Sequence, residues 1–250
     1  MQSPQATSTR EGLFASTRWS VVLQAGDSTA ASQQSLNALS ELCRIYWRPL
    51  YLFLRREGYG PEDAQDLTQG FFADLIETRS YARADREKGR FRSFLLGALK
   101  HFVADARDRE HAQKRGGGLV PEQLDESAIA EIEAQVERSK LDSDRLYDRE
   151  WAASLLRRSL DRLSQECALA GKAELFGYLK PFLSATEETA VPYDEMSRRS
   201  HRPVATLRSD VARLRSRYRA ILREEVRGTV IAEDDVDDEL RHLCRVLVAA

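Results

Sequence analysis

Between Tyr193 and Val226 the chain reads YDEMSRRSHRPVATLRSDVARLRSRYRAILREEV. A short polar segment and a break ending in Pro203 lead into a long segment. There Leu207, Val211, Leu214, Tyr218, Ile221 and Leu222 recur at the spacing of a helix packed on a core by one side. The other side carries Arg208, Arg213, Arg215, Arg219 and Arg223, with Ala205, Ser209, Ala212 and Ser216 between them. Small residues between arginines let a helix approach a duplex closely while the cations meet phosphates. The second helix of a helix-turn-helix enters a major groove in this way. A basic helix that is merely solvated has a similar composition, so the rest of the chain must decide between the two.

The charge distribution bears on that decision. The 250 residues carry 38 Lys and Arg against 40 Asp and Glu, a formal net charge of −2, so the chain is not a polycation. The charges are segregated, however. Residues 83–115 hold ten bases against five acids, and residues 193–227 hold ten against five again. Residues 122–150 hold ten acids against four bases, and residues 233–250 hold six against two. Two basic islands separated by an acidic stretch suit two surfaces touching one polyanion, with the acidic stretches able to mask them in the free chain. Cys43, Cys167 and Cys244 are odd in number and far apart, and no Cys–His ligand spacing occurs. Neither a disulfide nor a zinc site is expected, and each cysteine reads as a small buried apolar residue. No leader and no run near the ~18 apolar residues of a membrane span is present, so a cytoplasmic protein without membrane contact is expected.

Helical periodicity recurs along the chain and strand-like alternation does not, so the fold class expected is all-α. A polar terminus, 1–15, is expected to be mobile. A helical domain follows over 16–112, with a pattern around Trp19, then Leu36 to Leu54 interrupted at Pro49, then helices from Pro61 to Thr78 and Arg90 to His111. Gly58, Gly60 and Pro61 mark the turn between the second and third of these, with Pro61 at a favoured first-turn position. The acidic stretch 113–145, opened by Gly116–Gly118, reads as a flexible linker with a frayed helix near Ser127 to Arg138. A second domain over 146–228 begins at Tyr147, contains one helix over Leu175 to Leu183, and ends in the helix-turn-helix. Residues 229–250 read as an acidic tail.

Two further helices carry chemistry. In DAQDLTQGFFADLIE, Leu67, Phe71, Phe72, Leu75 and Ile76 form an apolar half, and Asp63, Asp66, Gln69, Asp74 and Glu77 an acidic one centred on Gly70 and Ala73. Such a face can receive a basic helical partner, with Gly70 permitting close approach, though a plain amphipathic helix has the same spacing. In FRSFLLGALKHFVADARDR, Phe94 and His101 lie at the edge of the apolar face beside Ser93, Lys100 and Arg107. Rings beside cations provide what single-stranded nucleic acid needs, stacking surfaces for bases and charges for the backbone.

Together, YWRPLYLFLRREGYGPEDAQDLTQGFFADLIE, RFRSFLLGALKHFVADARDRE and the segment from Tyr193 to Val226 resemble bacterial RNA polymerase sigma factors of the sigma-70 family. The likeness is to the extracytoplasmic-function branch, which keeps only regions two and four, and it covers roughly residues 44–111 and 147–226. The order and spacing of three motifs make it more specific than a single helix-turn-helix. It implies that Asp63, Asp66 and Gln69 contact core RNA polymerase, and that Phe94, Lys100, His101 and Arg107 meet the minus-ten element. It also implies that Thr206, Arg208, Ser209 and Arg213 read the minus-35 element. Core polymerase and promoter DNA are the partners implied, an anti-sigma protein is a further one, and catalysis belongs to the polymerase, with no cofactor, metal or enzymatic activity in this chain. The pattern departs from the family at Gly70, where glutamate is common, at Ser200-His201-Arg202, where a glycine turn is usual, and at Asp210, where many members are basic. A DNA-binding regulator of the same fold that does not dock on polymerase is the second reading, supported by Gly70 and Asp210. Metal chemistry at Asp63 and Asp66 is a distant third.

Overall fold

The computed structural model describes residues 33–78, 90–110, 141–184, 192–230 and 233–248, with the side chains of 33–39, 42 and 107–110 excluded. The expected mobile terminus, the pattern near Trp19, and most of the linker with its frayed helix lie outside the described residues. Among those described, every regular element is an α-helix, and extended backbone pairs only in an isolated bridge between Arg90 and Val230. The all-α expectation holds.

Helix α1, Gln33–Arg56, runs through Pro49 without ending there. Gly58 takes a left-handed φ of 95°, a conformation that suits a residue without Cβ, and Gly60 precedes α2, Pro61–Glu77, with proline in its first turn. Helix α3 spans Phe91–Glu110 and α4 spans Ser143–Leu169, the latter capped by the Asp142 carboxylate, which accepts from the Arg145 amide at 2.8 Å. The single helix expected over Leu175 to Leu183 is two, α5 at Ala173–Leu179 and α6 at Pro181–Ser184. Pro181 has no N–H to continue the ladder, so the chain tightens and the Leu183 amide bonds the Lys180 carbonyl at 3.0 Å. Helix α7, Tyr193–Ser200, is joined by three residues to α8, Val204–Arg227.

The expected acidic tail is a packed helix, α9, Asp235–Val248. Val236 and Leu243 are buried, while Asp237 and Asp238 point outward. Glu239 on the inner face is 1 % exposed. Its carboxylate meets Arg92 Nε in the first turn of α3 at 2.7 Å and Arg90 Nε just before that helix at 3.1 Å. Arg92 also donates to Asp148 at 2.7 Å, and its guanidinium lies 5.2 Å over the Trp151 ring. Acid composition alone suggested a solvated tail; a buried cation 147 residues away makes one of those acids a core residue.

Two hydrophobic clusters form, and α4 belongs to both. The first joins Tyr46, Leu50 and Tyr51 of α1, Phe71 and Phe72 of α2, Phe91 and Leu95 of α3, Leu146, Tyr147, Trp151 and Leu155 of α4, Val226 at the end of α8, and α9. The second joins Leu163 of α4 to Phe176, Phe182, Met196, Leu207, Val211, Leu214 and Ile221. The expected division at 113–145 is therefore not a division between cores: the first three turns of α4 pack in one cluster with α1 as well as with α9. Trp151 sits at that junction, fully buried, its indole N–H donating to the Tyr46 hydroxyl at 3.1 Å. Ion pairs continue the seam. Arg48 meets the buried Glu150 at 2.6 Å, and Arg158 bridges Glu41 on α1, at 2.7 Å, to the buried Glu225 on α8, at 3.3 Å.

His242 of α9 is half-buried, 3.1 Å from Asp148. Burial and then the neighbouring Arg92 charge hold its pKa below the ordinary 6.5. The unfolded chain therefore binds this proton more readily, and the contribution of His242 to stability, full above that value, is lost as pH falls through and below it. Of the cysteines, Cys43 and Cys167 are half-buried and Cys244 is exposed, against the expectation that all three are buried. Burial pushes the Cys43 thiol up to about 12.

Gly70 is half-buried, and the direction its missing side chain would take is not open to a partner. It faces Phe102 of α3, and a Cβ there would lie 3.4 Å from the ring, an ordinary contact. Gly70→Ala is expected to raise stability by roughly 0.5–1 kcal/mol, through helix propensity and reduced freedom of the unfolded chain. A urea titration showing a loss instead would mean that α2 and α3 are packed more tightly than this.

Candidate nucleic-acid interface

Helix α8 buries Leu207, Val211, Leu214 and Ile221, which turns Ala205, Ser209, Ala212 and Ser216 outward on the opposite side. At about 100° per residue, Arg208 and Arg219 flank this small-residue stripe on one side, and Thr206 and Arg213 on the other. All of these are exposed. Thr206, Arg208, Ser209 and Arg213 are thus brought onto one accessible surface at the N-terminal half of the helix. Arg208 lies with its guanidinium 5.4 Å over the ring of Tyr193, which opens α7. Arg219 has no partner among the described residues.

Arg215 and Arg223 of the expected face, and Arg217 and Arg227 beside it, are engaged within the molecule. Arg215 donates through Nε and a terminal nitrogen to the Phe182 carbonyl, at 3.0 and 2.8 Å, tying down the end of α6. Arg217 forms two bonds to Glu166 on α4, at 2.7 and 2.8 Å, and that contact holds Glu166 below the usual carboxylate range. Arg223 pairs with Asp237 of α9, and Arg227 with Glu233 at 2.6 Å. The C-terminal acids thus neutralise the far end of α8 and leave its near end open. The five-arginine face contracts to Arg208, Arg213 and Arg219, because acceptors arrive from elements whose placement helical spacing does not reveal.

The approach to α8 is held tightly. His201 adopts φ 53° in the connection, where a left-handed residue is needed and glycine is absent. Ser197 Oγ donates to the Arg202 carbonyl at 2.6 Å, and Ser200 Oγ to the Met196 carbonyl at 2.7 Å. Asp210 accepts from Arg213 at 2.6 Å and from Arg202 at 3.4 Å. Arg198, Arg199 and Arg202 are exposed near the same end. Tyr193 and Arg202 join the surface without having been singled out by sequence. The Asp210–Arg213 pair is a legible i,i+3 spacing, whereas the Tyr193 ring and Arg202 meet α8 only through the turn.

On α3 the minus-ten candidates are less uniform. Phe94 is half-buried against the first core, 6.2 Å from the Phe91 ring. His101 is exposed. Lys100 is exposed but paired with Asp144 of α4 at 2.8 Å, and lies 5.3 Å over the Phe53 ring. An exposed pair of this kind is worth little and is readily exchanged for a phosphate. The Arg107 side chain lies outside the described residues. On α2, Asp63 and Asp66 are exposed without a cationic partner among the described residues, and Gln69 is half-buried beside them.

Among the described residues, no helix is long and apolar enough to cross a membrane, and no group of three His, Cys, Asp or Glu side chains is placed to hold a metal ion. No protein-family model, curated protein or solved structure matches the chain.

Proposed function

We propose that this chain is a sigma-type transcription initiation factor of the extracytoplasmic-function kind. In this account it binds core RNA polymerase through α2, reads a promoter through α8, and assists opening through α3. The observation that carries the proposal is the exposed stripe of Ala205, Ser209, Ala212 and Ser216 between Arg208 and Arg213, delivered by a short preceding helix and a three-residue turn. That arrangement suits the recognition half of a helix-turn-helix. Small side chains admit the backbone to a groove, and the flanking guanidinium groups reach phosphates or guanine edges. Asp63 and Asp66, exposed on a separate helix without a cationic partner among the described residues, give the same molecule an anionic surface that DNA would repel and a basic protein partner would accept.

Capture on purified core polymerase tests the α2 assignment. The full chain is expected to form a complex, and Asp63→Arg with Asp66→Arg to abolish it while the thermal midpoint stays within a few degrees of wild type. A chain that binds duplex but never polymerase would be a regulator of sigma-like fold, and the proposal would fail.

A further inference from the structure

Asp210 places an acid inside a basic surface. A carboxylate near phosphates weakens attraction to DNA, so its presence on α8 calls for a physical reason. Its side chain is 12 % exposed, and both oxygens are engaged. Oδ1 accepts from Arg213, one turn along the same helix, at 2.6 Å. Oδ2 accepts from Arg202, which belongs to the turn before the helix, at 3.4 Å. Arg202 is also fixed through its carbonyl, which accepts from Ser197 at 2.6 Å. One carboxylate therefore links the turn and α8 through two guanidinium groups, while Ser197 ties α7 to the same turn, and the outer edges of both arginines stay open: the Arg213 side chain is 74 % exposed and that of Arg202 is 44 % exposed.

The chemistry of that clasp differs from that of a free surface arginine. An unrestrained guanidinium samples many rotamers and neutralises whichever phosphate is nearest, on any sequence. Held by a carboxylate, it keeps outward N–H donors in a fixed plane and carries less net charge to the backbone. An ordinary i,i+3 surface pair would involve Arg213 alone. The second bond, across the turn to Arg202, and the low exposure of Asp210 distinguish this arrangement from one.

Resting on the proposal that α8 enters a DNA groove, we propose that Asp210 is a positioning and specificity-determining residue. It clasps Arg202 and Arg213 so that they contribute less to sequence-independent phosphate binding and more to base selection. In this role the acid acts by negative means, lowering affinity for the wrong duplexes more than for the right one.

The test uses the full chain assembled with bacterial core RNA polymerase and two probes. One is the duplex the wild-type assembly enriches from a randomised library; the other is a random-sequence duplex of equal length. For Asp210→Asn, the slope of log affinity against log salt on the random duplex is expected to steepen by about one, the increment of one released phosphate contact. The ratio of affinities for the two probes is expected to fall about tenfold, the discrimination of one good base contact. Asp210→Glu, which keeps the charge, should stay nearer wild type in both. With Arg202 and Arg213 both replaced by alanine, Asp210→Asn should leave the ratio unchanged, because the loss of one negative charge then acts on both probes alike. If Asp210→Asn leaves the ratio unchanged while the wild type selects a sequence, or if it still lowers the ratio when both arginines are gone, the inference is overturned alone. If the wild-type assembly enriches no duplex, the functional proposal falls and this inference with it.

Discussion

Glu239→Ala is expected to destabilise the protein by about 3–5 kcal/mol, the range for removing one member of a buried ion pair and leaving the other charge uncompensated. Glu239 is 1 % exposed and Arg92 is 7 % exposed, so water cannot replace the lost carboxylate without opening the junction between α3, α4 and α9. Arg92 would retain Asp148 at 2.7 Å, which places the loss within that range and not above it. The same junction holds Trp151 and Tyr46, so the two halves of the chain should loosen together, in a single unfolding transition at lower urea. A change below 1 kcal/mol would mean that α9 is a dispensable tail. It would restore the sequence-based view that residues 229–250 only shield the basic surface.

The second large effect concerns function. Arg208→Ala combined with Arg213→Ala is expected to lower promoter-directed transcription by roughly thirtyfold or more, taking each arginine at the lower end of the 1–3 kcal/mol for a specific base contact. Both side chains are exposed. Arg208 packs over Tyr193 at the edge of the second core and Arg213 pairs with Asp210, and neither arginine is itself buried, so folding and capture on polymerase should be nearly unchanged. Truncating Arg215 instead would release the Phe182 carbonyl and act through stability. Comparing the two kinds of variant separates an arginine that faces outward from one that holds the molecule together. If the double variant lost polymerase binding while remaining folded, the roles given to α2 and α8 would be wrong.

Helical spacing made most of the elements legible. Gly58, Gly60 and Pro61 announced the start of α2, and the apolar rows of α3 and α8 gave their buried faces. Less legible was what depends on distant partners. Glu239 reads as one acid among six until Arg92 is placed against it. Arg215 and Arg223 read as part of a cationic face until Phe182 and Asp237 supply acceptors. Helix α4 has an apolar row long enough for two cores, and no local signal says that its first turns belong with α1. Of the candidate site, the α8 residues could be found because exposure follows from periodicity. Lys100, by contrast, is engaged by Asp144, an acid in a segment that reads as linker.

Transcription in vitro bears most directly on the central proposal. Purified bacterial core polymerase, supplemented with the full chain, is offered a randomised promoter library, and the transcripts are sequenced. Initiation is expected on a defined subset of templates sharing an upstream and a downstream element, with Arg208→Ala and Arg213→Ala relaxing selection at the upstream one alone. Transcripts indistinguishable from those of core polymerase without the chain would contradict that proposal.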